Sequence, residues 1–176
     1  MVAMTALVVF ESMFGNTEEV ARAVAEGIWT RMPATVVEVG HAPDPGQADV
    51  DLLVVGAPTH AFGLSRQRTR DSAAEQVGHP GISSGRGVRE WLADASTCSL
   101  MAVAFDTHVS KPDLPGHAGR RAQRRLKSLG CRMVAPAESF AVEGMQGPLA
   151  TGELDRARAW GAEVAEAAQR VGAAQV

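Results

Sequence analysis

The segment at residues 11–18, Glu-Ser-Met-Phe-Gly-Asn-Thr-Glu, combines residue types that bind anions. Ser12, Asn16 and Thr17 carry short polar side chains that can hydrogen-bond to a phosphate oxygen, and Gly15 allows close approach of the backbone. An apolar run precedes the segment and an amphipathic pattern follows it, so we expect it to join a strand to a helix. The first N–H groups of that helix have no intrahelical acceptor and carry partial positive charge. The sequence therefore predicts an anion site at this helix N-terminus.

The residues missing from this loop narrow the chemistry of the anion. Residues 2–21 contain neither Lys nor Arg, which excludes a GxxxxGK[ST] nucleoside-triphosphate loop, and the GxGxxG pattern is also missing. A loop that neutralises charge only with amides and hydroxyls suits one monophosphate. An ordinary strand–helix turn with Asn16 or Thr17 as N-cap is the simpler alternative, but it leaves Ser12 and Gly15 unexplained.

Apolar runs alternate with amphipathic helix patterns along the chain. Strands are predicted at residues 6–10, 36–39, 52–56, 100–105 and within 133–142, where Pro136 breaks or bulges the last strand. Helix patterns follow, with apolar residues three or four apart at Val20, Val24 and Ile28, at Val88, Trp91, Leu92 and Ala95, at Ala118, Ala122, Leu126 and Leu129 before Gly130, and at Leu154, Ala157, Gly161, Val164, Ala168 and Val171.

This alternation is typical of an α/β fold with a doubly wound, five-stranded parallel sheet in a three-layer α/β/α arrangement. Five strands favour the order 2-1-3-4-5, and ligands in such sheets bind at the carboxyl ends of the strands. We therefore expect the loops after strands one, three and four to form the binding site of a single domain spanning residues 1–176.

Composition limits the function classes. Seventeen basic and 20 acidic residues give a formal charge of −3, which argues against general nucleic-acid binding. No apolar run reaches the ~20 residues of a membrane span, and the N-terminal segment lacks signal-peptide features. Cys98 and Cys131 match neither a CxxC pair nor a metal quartet, so we expect reduced thiols in a cytoplasmic protein.

Residues 8–21 resemble the flavodoxin signature, in which this loop holds the phosphate of FMN. Ser12, Gly15, Asn16, Thr17 and Ala21 match the family pattern, whereas Phe14 stands where the family often has a hydroxyl residue. The resemblance implies a flavodoxin-like fold with FMN as the cofactor and the flavin as the redox centre. It also covers the order of elements along the whole chain.

Two further loops resemble flavin loops of that family. Residues 56–63, Gly-Ala-Pro-Thr-His-Ala-Phe-Gly, follow strand three, and residues 105–108, Phe-Asp-Thr-His, end strand four. With the first loop, the resemblance assigns to FMN binding Ser12, Met13, Phe14, Gly15, Asn16, Thr17, Pro58, Thr59, His60, Ala61, Phe62, Gly63, Phe105, Asp106, Thr107 and His108. The chain has no Tyr to stack on the flavin ring, so the substitutes are His60, Phe62, His108 or Trp91.

Two basic segments lie near the expected flavin edge. Arg66, Arg68 and Arg70 alternate within a long polar connection at residues 64–85, which we expect to be functional or mobile. Five cations follow strand four on a helix without carboxylates: Arg120, Arg121, Arg124, Arg125 and Lys127. They are either a solvated helix face or a docking surface for an acidic redox partner or an anionic substrate.

Three functions stay open. The first is an electron carrier whose partner is a redox protein or a small-molecule electron acceptor, with no nucleic acid and no membrane, as a monomer or homodimer. The second is an FMN-dependent oxidoreductase on the same fold, an NAD(P)H-dependent quinone or flavin reductase or a protoporphyrinogen-oxidising enzyme. The third is a flavin-free binding or regulatory protein. A receiver domain and a Ser-His-Asp hydrolase are excluded because their acidic and GxSxG motifs are missing.

Overall fold

A computed structural model describes residues 3–112 and 115–174 of the chain. The strands are β1 Ala6–Phe10, β2 Ala34–Glu38, β3 Leu52–Pro58, β4 Met101–Val109, β5 Arg132–Met133 and β6 Glu138–Val142. The α-helices are α1 Asn16–Trp29, α2 Gln67–Val77, α3 Val88–Ala93, α4 Ala118–Leu129 and α5 Glu153–Ala173, and two short 3₁₀ helices lie at Val39–His41 and Pro45–Gln47. The predicted single domain of residues 1–176 stays a prediction, and its residues 1–2, 113–114 and 175–176 lie outside the described part.

All strands pair in parallel, and the predicted order is confirmed. The sheet runs β2-β1-β3-β4-β5, and β6 also pairs with β4. The fifth predicted strand is divided: Arg132 and Met133 pair with the start of β4, and β6 pairs with its end, on either side of the expected break at Pro136. The ends of β1, β3 and β4 therefore meet at one sheet edge, where the predicted site loops begin.

The sheet is buried on both faces, as its continuous apolar strands predict. The first apolar core joins one sheet face to α1 and α5, and the second joins the other face to α3 and α4. Helix α1 begins at the predicted anion loop, so its packing fixes that loop. A Cβ at Gly161 of α5 would overlap the backbone carbonyl of Val24, which means that the two helices touch closely at this glycine.

The long polar connection at residues 64–85 contains a helix that the sequence pattern did not predict. Residues 67–77 form helix α2, although only Arg70 and Ala73 of it are buried. A helix that buries so few side chains, one of them charged, shows no apolar stripe in its sequence. After α2, the chain returns to the first site loop, where the N–H of Ser83 donates to the carbonyl oxygen of Ser12 at 2.8 Å.

The prediction of reduced thiols is also wrong, because Cys98 and Cys131 form a disulfide. Cys98 precedes β4 and Cys131 precedes its neighbour β5, so the parallel pairing brings their Cα atoms to 5.7 Å across 33 positions of sequence. The argument from reduced thiols to a cytoplasmic protein therefore no longer applies. In the part of the chain that the structure describes, no helix has the length and apolar character that a membrane crossing needs.

Candidate functional site

A cavity of about 380 Å³ lies at the carboxyl ends of β1, β3 and β4. Its walls include eleven of the sixteen residues predicted for the site: Ser12, Met13, Phe14, Asn16, Thr17, Pro58, Thr59, His60, Ala61, Thr107 and His108. The volume lies within the usual range for ligand pockets. The topology thus brings residues from three separate loops to one place, as expected for ligand sites in this kind of sheet.

The loop after β1 turns sharply into α1. Gly15 has a φ of 97°, a left-handed conformation that favours glycine, and it directly precedes the first residue of the helix. The N–H of Glu19 donates to the carbonyl oxygen of Gly15 at 3.0 Å, which begins the helical pattern. The three preceding amides, those of Asn16, Thr17 and Glu18, have no intrahelical acceptor. The helix thus presents several N–H groups and its positive dipole end beside the cavity.

Hydroxyl groups surround these amides. The N–H of Gly15 donates to Ser12 Oγ at 3.1 Å, which leaves the hydroxyl proton of Ser12 to serve as a donor. Thr17 Oγ1 lies 2.8 Å from Thr107 Oγ1, and both side chains are buried. Each hydroxyl carries one proton, so one of the pair donates to the other and the remaining proton needs another acceptor. A phosphate oxygen in the cavity would be such an acceptor.

The loop after β3 makes a tight turn with strained backbone. His60 and Gly63 exchange two backbone hydrogen bonds of 2.8 and 3.0 Å. Between them, Ala61 and Phe62 have φ values of 42° and 70°, which are uncommon for residues other than glycine. Thr59 accepts a hydrogen bond from the N–H of Ala118 at 3.1 Å, so its hydroxyl oxygen also caps α4.

Two histidines line the cavity. Burial, reinforced by the positive charge of Arg70, lowers the pKa of His60 to about 4, so this imidazole is neutral near pH 7. His108, near the end of β4, also lines the cavity. Phe62, the other expected ring partner, is 49% exposed and does not line the cavity, because its strained turn directs it to the surface.

Several predicted site residues lie elsewhere. Gly15 and Gly63 shape the backbone of their loops without lining the cavity. Phe105 is fully buried in the core, with its ring 5.9 Å from the ring of Phe140. Asp106 is buried beside the cavity and accepts a hydrogen bond from Gly119 N–H at 2.8 Å.

The prediction that Trp91 could stack on a flavin ring is wrong. Its side chain is buried in the core on the α3 and α4 face of the sheet. Its indole N–H donates to the carbonyl oxygen of Pro43 at 3.0 Å. Its place in an amphipathic helix stripe already pointed to the core.

The sequence did not identify two parts of the cavity wall. Helix α2 contributes Thr69, Ser72, Ala73 and Gln76, and the chain around the end of β6 contributes Val142, Gly144 and Met145. The length of the connection at residues 64–85 was the available signal for the first part. Nothing in the sequence marked the second.

A buried polar network supports the floor of the site. Glu11, the first residue after β1, is fully buried and accepts hydrogen bonds from the Ser65 hydroxyl and from the N–H of Val88 at 2.8 Å. Burial raises the pKa of Glu11, and these hydrogen bonds and the charge of Arg70 oppose that change. Arg70 Nη1 donates to Ser65 Oγ at 2.7 Å, and Arg70 Nη2 lies 3.2 Å from Glu90. Arg70 is therefore a buried structural cation that ties α2 to the loop after β1.

The basic helix divides into two kinds of side chain. Arg125 donates to the carbonyl oxygens of Leu92 and Ala93 at 3.1 and 3.3 Å, so it anchors α3 to α4. The others are exposed and form no ion pair with a carboxylate within the described residues: Arg120, Arg121, Arg124 and Lys127. One of them, Arg121, contacts the loop after β3.

Comparison with known proteins gives a consistent result. The family model for flavodoxin matches residues 8–160. In fold, the chain is similar to an archaeal flavodoxin at 16% identity, with a TM-score of 0.64 over 94% of this chain and 99% of the other. It is also similar to flavodoxin 1 from Bacillus cereus at 18% identity, with a TM-score of 0.65 over 92% and 97% of the two chains. A flavodoxin from Streptococcus pneumoniae shares 20% identity and a TM-score of 0.63 over 98% and 99%. A search of curated protein sequences finds no match.

Proposed function

Because the chain belongs to the flavodoxin family, we propose that the cavity binds FMN and that the protein transfers electrons through this flavin. The observation that carries the proposal is the anion site at the start of α1, where amides and hydroxyls converge and, among the described residues, no carboxylate lines the cavity. These groups suit one phosphate monoester because each N–H or O–H donates to an oxygen of a dianion.

The remaining walls suit a flat, largely apolar ring. Met13, Phe14 and Met145 supply apolar surface, and His60 and His108 supply aromatic faces. Since His60 is neutral near pH 7, it adds an aromatic wall without a positive charge. When bound, FMN supplies electron transfer in one- or two-electron steps. The chain's own residues hold the phosphate, orient the ring and exclude water from one side of it.

The exposed cations of α4 support a docking role. Arg120, Arg121 and Arg124 line a surface groove of about 400 Å³ together with Gly116, His117 and Gln123. An unbalanced positive surface favours an acidic redox partner or an anionic electron acceptor through long-range attraction. Arg121 Nε also donates weakly to the carbonyl oxygen of Phe62 at 3.4 Å, so the basic surface adjoins the turn after β3.

An FMN-dependent reductase is the second candidate. Helix α2 adds the polar side chains of Thr69, Ser72 and Gln76 to the cavity, beyond the three loops that suit FMN. A polar wall of this kind could orient a second molecule against the ring. Oxidation of NADPH or NADH by the FMN-loaded protein, with and without a quinone, separates this enzyme from a carrier.

Equilibrium titration with flavins tests the proposed function. We expect one FMN per chain and an affinity for riboflavin at least about tenfold lower, since one charge-assisted hydrogen bond contributes about 1.5–3 kcal/mol. Flavin fluorescence during titration gives both constants. Absence of saturable FMN binding would contradict the proposal and favour a flavin-free binding protein.

A further inference from the structure

A cluster of metal-ligand side chains lies beside the cavity. Asp106 and His108 are two residues apart on β4, so they project from the same face of the strand. His117 immediately precedes α4 and faces them. One donor atom from each residue lies within 4.8 Å of the others. Among the described residues this is the only group of three such side chains with converging donor atoms.

The distances are close to those of a tetrahedral metal site. His108 Nδ1 is 3.9 Å from one carboxylate oxygen of Asp106, and His117 Nδ1 is 3.7 Å from the other. A zinc ion 2.0–2.1 Å from each ligand would place neighbouring donor atoms about 3.4 Å apart. The two histidines face different oxygens of Asp106 and the donor atoms lie within 4.8 Å of one another, so side-chain movements of up to about 1 Å would bring three of them around one ion.

Ser139 currently connects the three side chains. Its hydroxyl donates to Asp106, and its oxygen lies 2.8 Å from His108 Nδ1 and 3.3 Å from His117 Nδ1. One hydroxyl can donate one hydrogen bond and accept two, so the cluster can also exist without metal if both rings carry their proton on Nδ1. A metal ion needs the opposite tautomer, with both Nδ1 atoms unprotonated.

Surrounding contacts favour a cation. Asp106 is almost fully buried, and Gly119 N–H donates to one of its carboxylate oxygens at 2.8 Å. This hydrogen bond holds the carboxylate in one orientation, as hydrogen bonds to metal ligands commonly do. The side chains of His108 and His117 are 19% and 22% exposed, so an ion can reach them from solvent. The Nδ1 atoms of both histidines lie near the Asp106 carboxylate, so two nitrogen ligands and one oxygen ligand face the same small volume.

We propose that Asp106, His108 and His117 bind a divalent transition-metal ion of the Zn²⁺ class. Two nitrogen ligands and one carboxylate suit zinc, and three protein ligands leave one coordination position for water. The site does not rest on the proposed flavin function, because none of its three ligands is needed for the anion site at α1. His108 borders both the cluster and the cavity.

Calorimetric titration of the untagged full chain with ZnCl₂ tests the proposal. We expect one Zn²⁺ per chain, and a loss of affinity on the order of 100-fold or more in His108→Gln and in His117→Gln, since even outer-shell changes cost 10–100-fold. His79→Gln is the matched control, because His79 is exposed and distant from the cluster in sequence, and it keeps the parent affinity. The proposal is overturned if the parent protein does not bind Zn²⁺, or if His108→Gln and His117→Gln bind Zn²⁺ as tightly as the parent does.

Two further measurements distinguish a metal site from a hydrogen-bonded cluster. Ser139→Ala removes the hydroxyl that competes for the donor atoms, so Zn²⁺ binding persists or strengthens; its loss would mean that the cluster is only hydrogen-bonded. In the parent protein, long-range ¹H–¹⁵N spectra report ring tautomers without any variant having to fold. Zn²⁺ should shift the Nδ1 resonances of His108 and His117 but not those of His41 and His79, and the reverse pattern refutes the site.

Discussion

Removing the hydroxyl of Thr17 separates phosphate recognition from general flavin binding. Thr17 is buried at the start of α1 and its Oγ1 lies 2.8 Å from Thr107 Oγ1. Thr17→Val keeps the volume of the side chain but removes its donor. One hydrogen bond to a charged phosphate contributes about 1.5–3 kcal/mol, so FMN affinity should fall about 10- to 150-fold.

Riboflavin provides the internal comparison because it has the same ring but no phosphate. The variant also leaves the buried Thr107 hydroxyl without its partner, which costs the protein about 1–3 kcal/mol of unfolding free energy whichever flavin is bound. The ratio of FMN to riboflavin affinity cancels that cost. Thr17→Ser retains the donor and should keep the parent ratio.

Fluorescence titration with both flavins at fixed ionic strength gives the two ratios. If Thr17→Val weakens FMN and riboflavin by the same factor, the hydroxyl does not contact a phosphate and the assignment of the loop is refuted. A fall in FMN affinity alone, restored in Thr17→Ser, supports it.

Three other predictions follow from the structure. Because the pKa of His60 falls from 6.5 to about 4 in the folded protein, the unfolded chain binds more protons between these pH values, and stability declines as pH falls through that window. Urea unfolding at pH 7 and pH 4 measures this decline, and His60→Gln should make it smaller by up to about 3 kcal/mol. A decline of the same size in the variant would mean that His60 titrates normally. Gly161→Ala should lower the free energy of unfolding by about 1–3 kcal/mol, because the new Cβ would meet the Val24 carbonyl. Gly172→Ala should not lower it in this way, because the nearest atom to its new Cβ is Met4 Sδ at 3.6 Å. Equal changes in unfolding free energy for the two variants would refute the close contact between α1 and α5. The double charge reversal Arg120→Glu with Arg124→Glu should slow oxidation of the photoreduced FMN-loaded protein by the anion ferricyanide, most at low salt, and speed its oxidation by the cation hexaammineruthenium(III). Arg170→Glu on α5 serves as the control. If the double variant has the same rates as the parent protein, α4 is only a solvated face.

The sequence predicted the elements whose side chains follow a clear period. Continuous apolar runs gave the central strands, and the α4 stripe ended at Gly130, which the structure places in a left-handed conformation with a φ of 103°. The loop after β1 was predictable because Ser12, Gly15 and Thr17, one glycine and two short polar residues, lie close together at the point where a helix begins. These features could be predicted because they depend on residues that are neighbours in the sequence, so no tertiary structure had to be known.

Other features depend on contacts between distant parts of the chain. Phe105 and Trp91 have residue types that suit a flavin wall, but their strand and helix faces point them into the two cores. The α2 helix lacked an apolar stripe because it buries Arg70, whose partners Ser65 and Glu90 lie outside that helix. The disulfide required β4 and β5 to be neighbours before the cysteines could meet.

The backbone amides at the start of α1 give the most direct test of FMN phosphate binding. In ¹H–¹⁵N spectra, FMN should shift the amide protons of Asn16, Thr17 and Glu18 downfield, because N–H groups that donate to a charged phosphate oxygen are deshielded. Riboflavin should leave these three amides close to their free positions while still shifting residues of the loops after β3 and β4. Identical shifts with both flavins, or no change at these three amides with FMN, would contradict phosphate binding at this helix N-terminus.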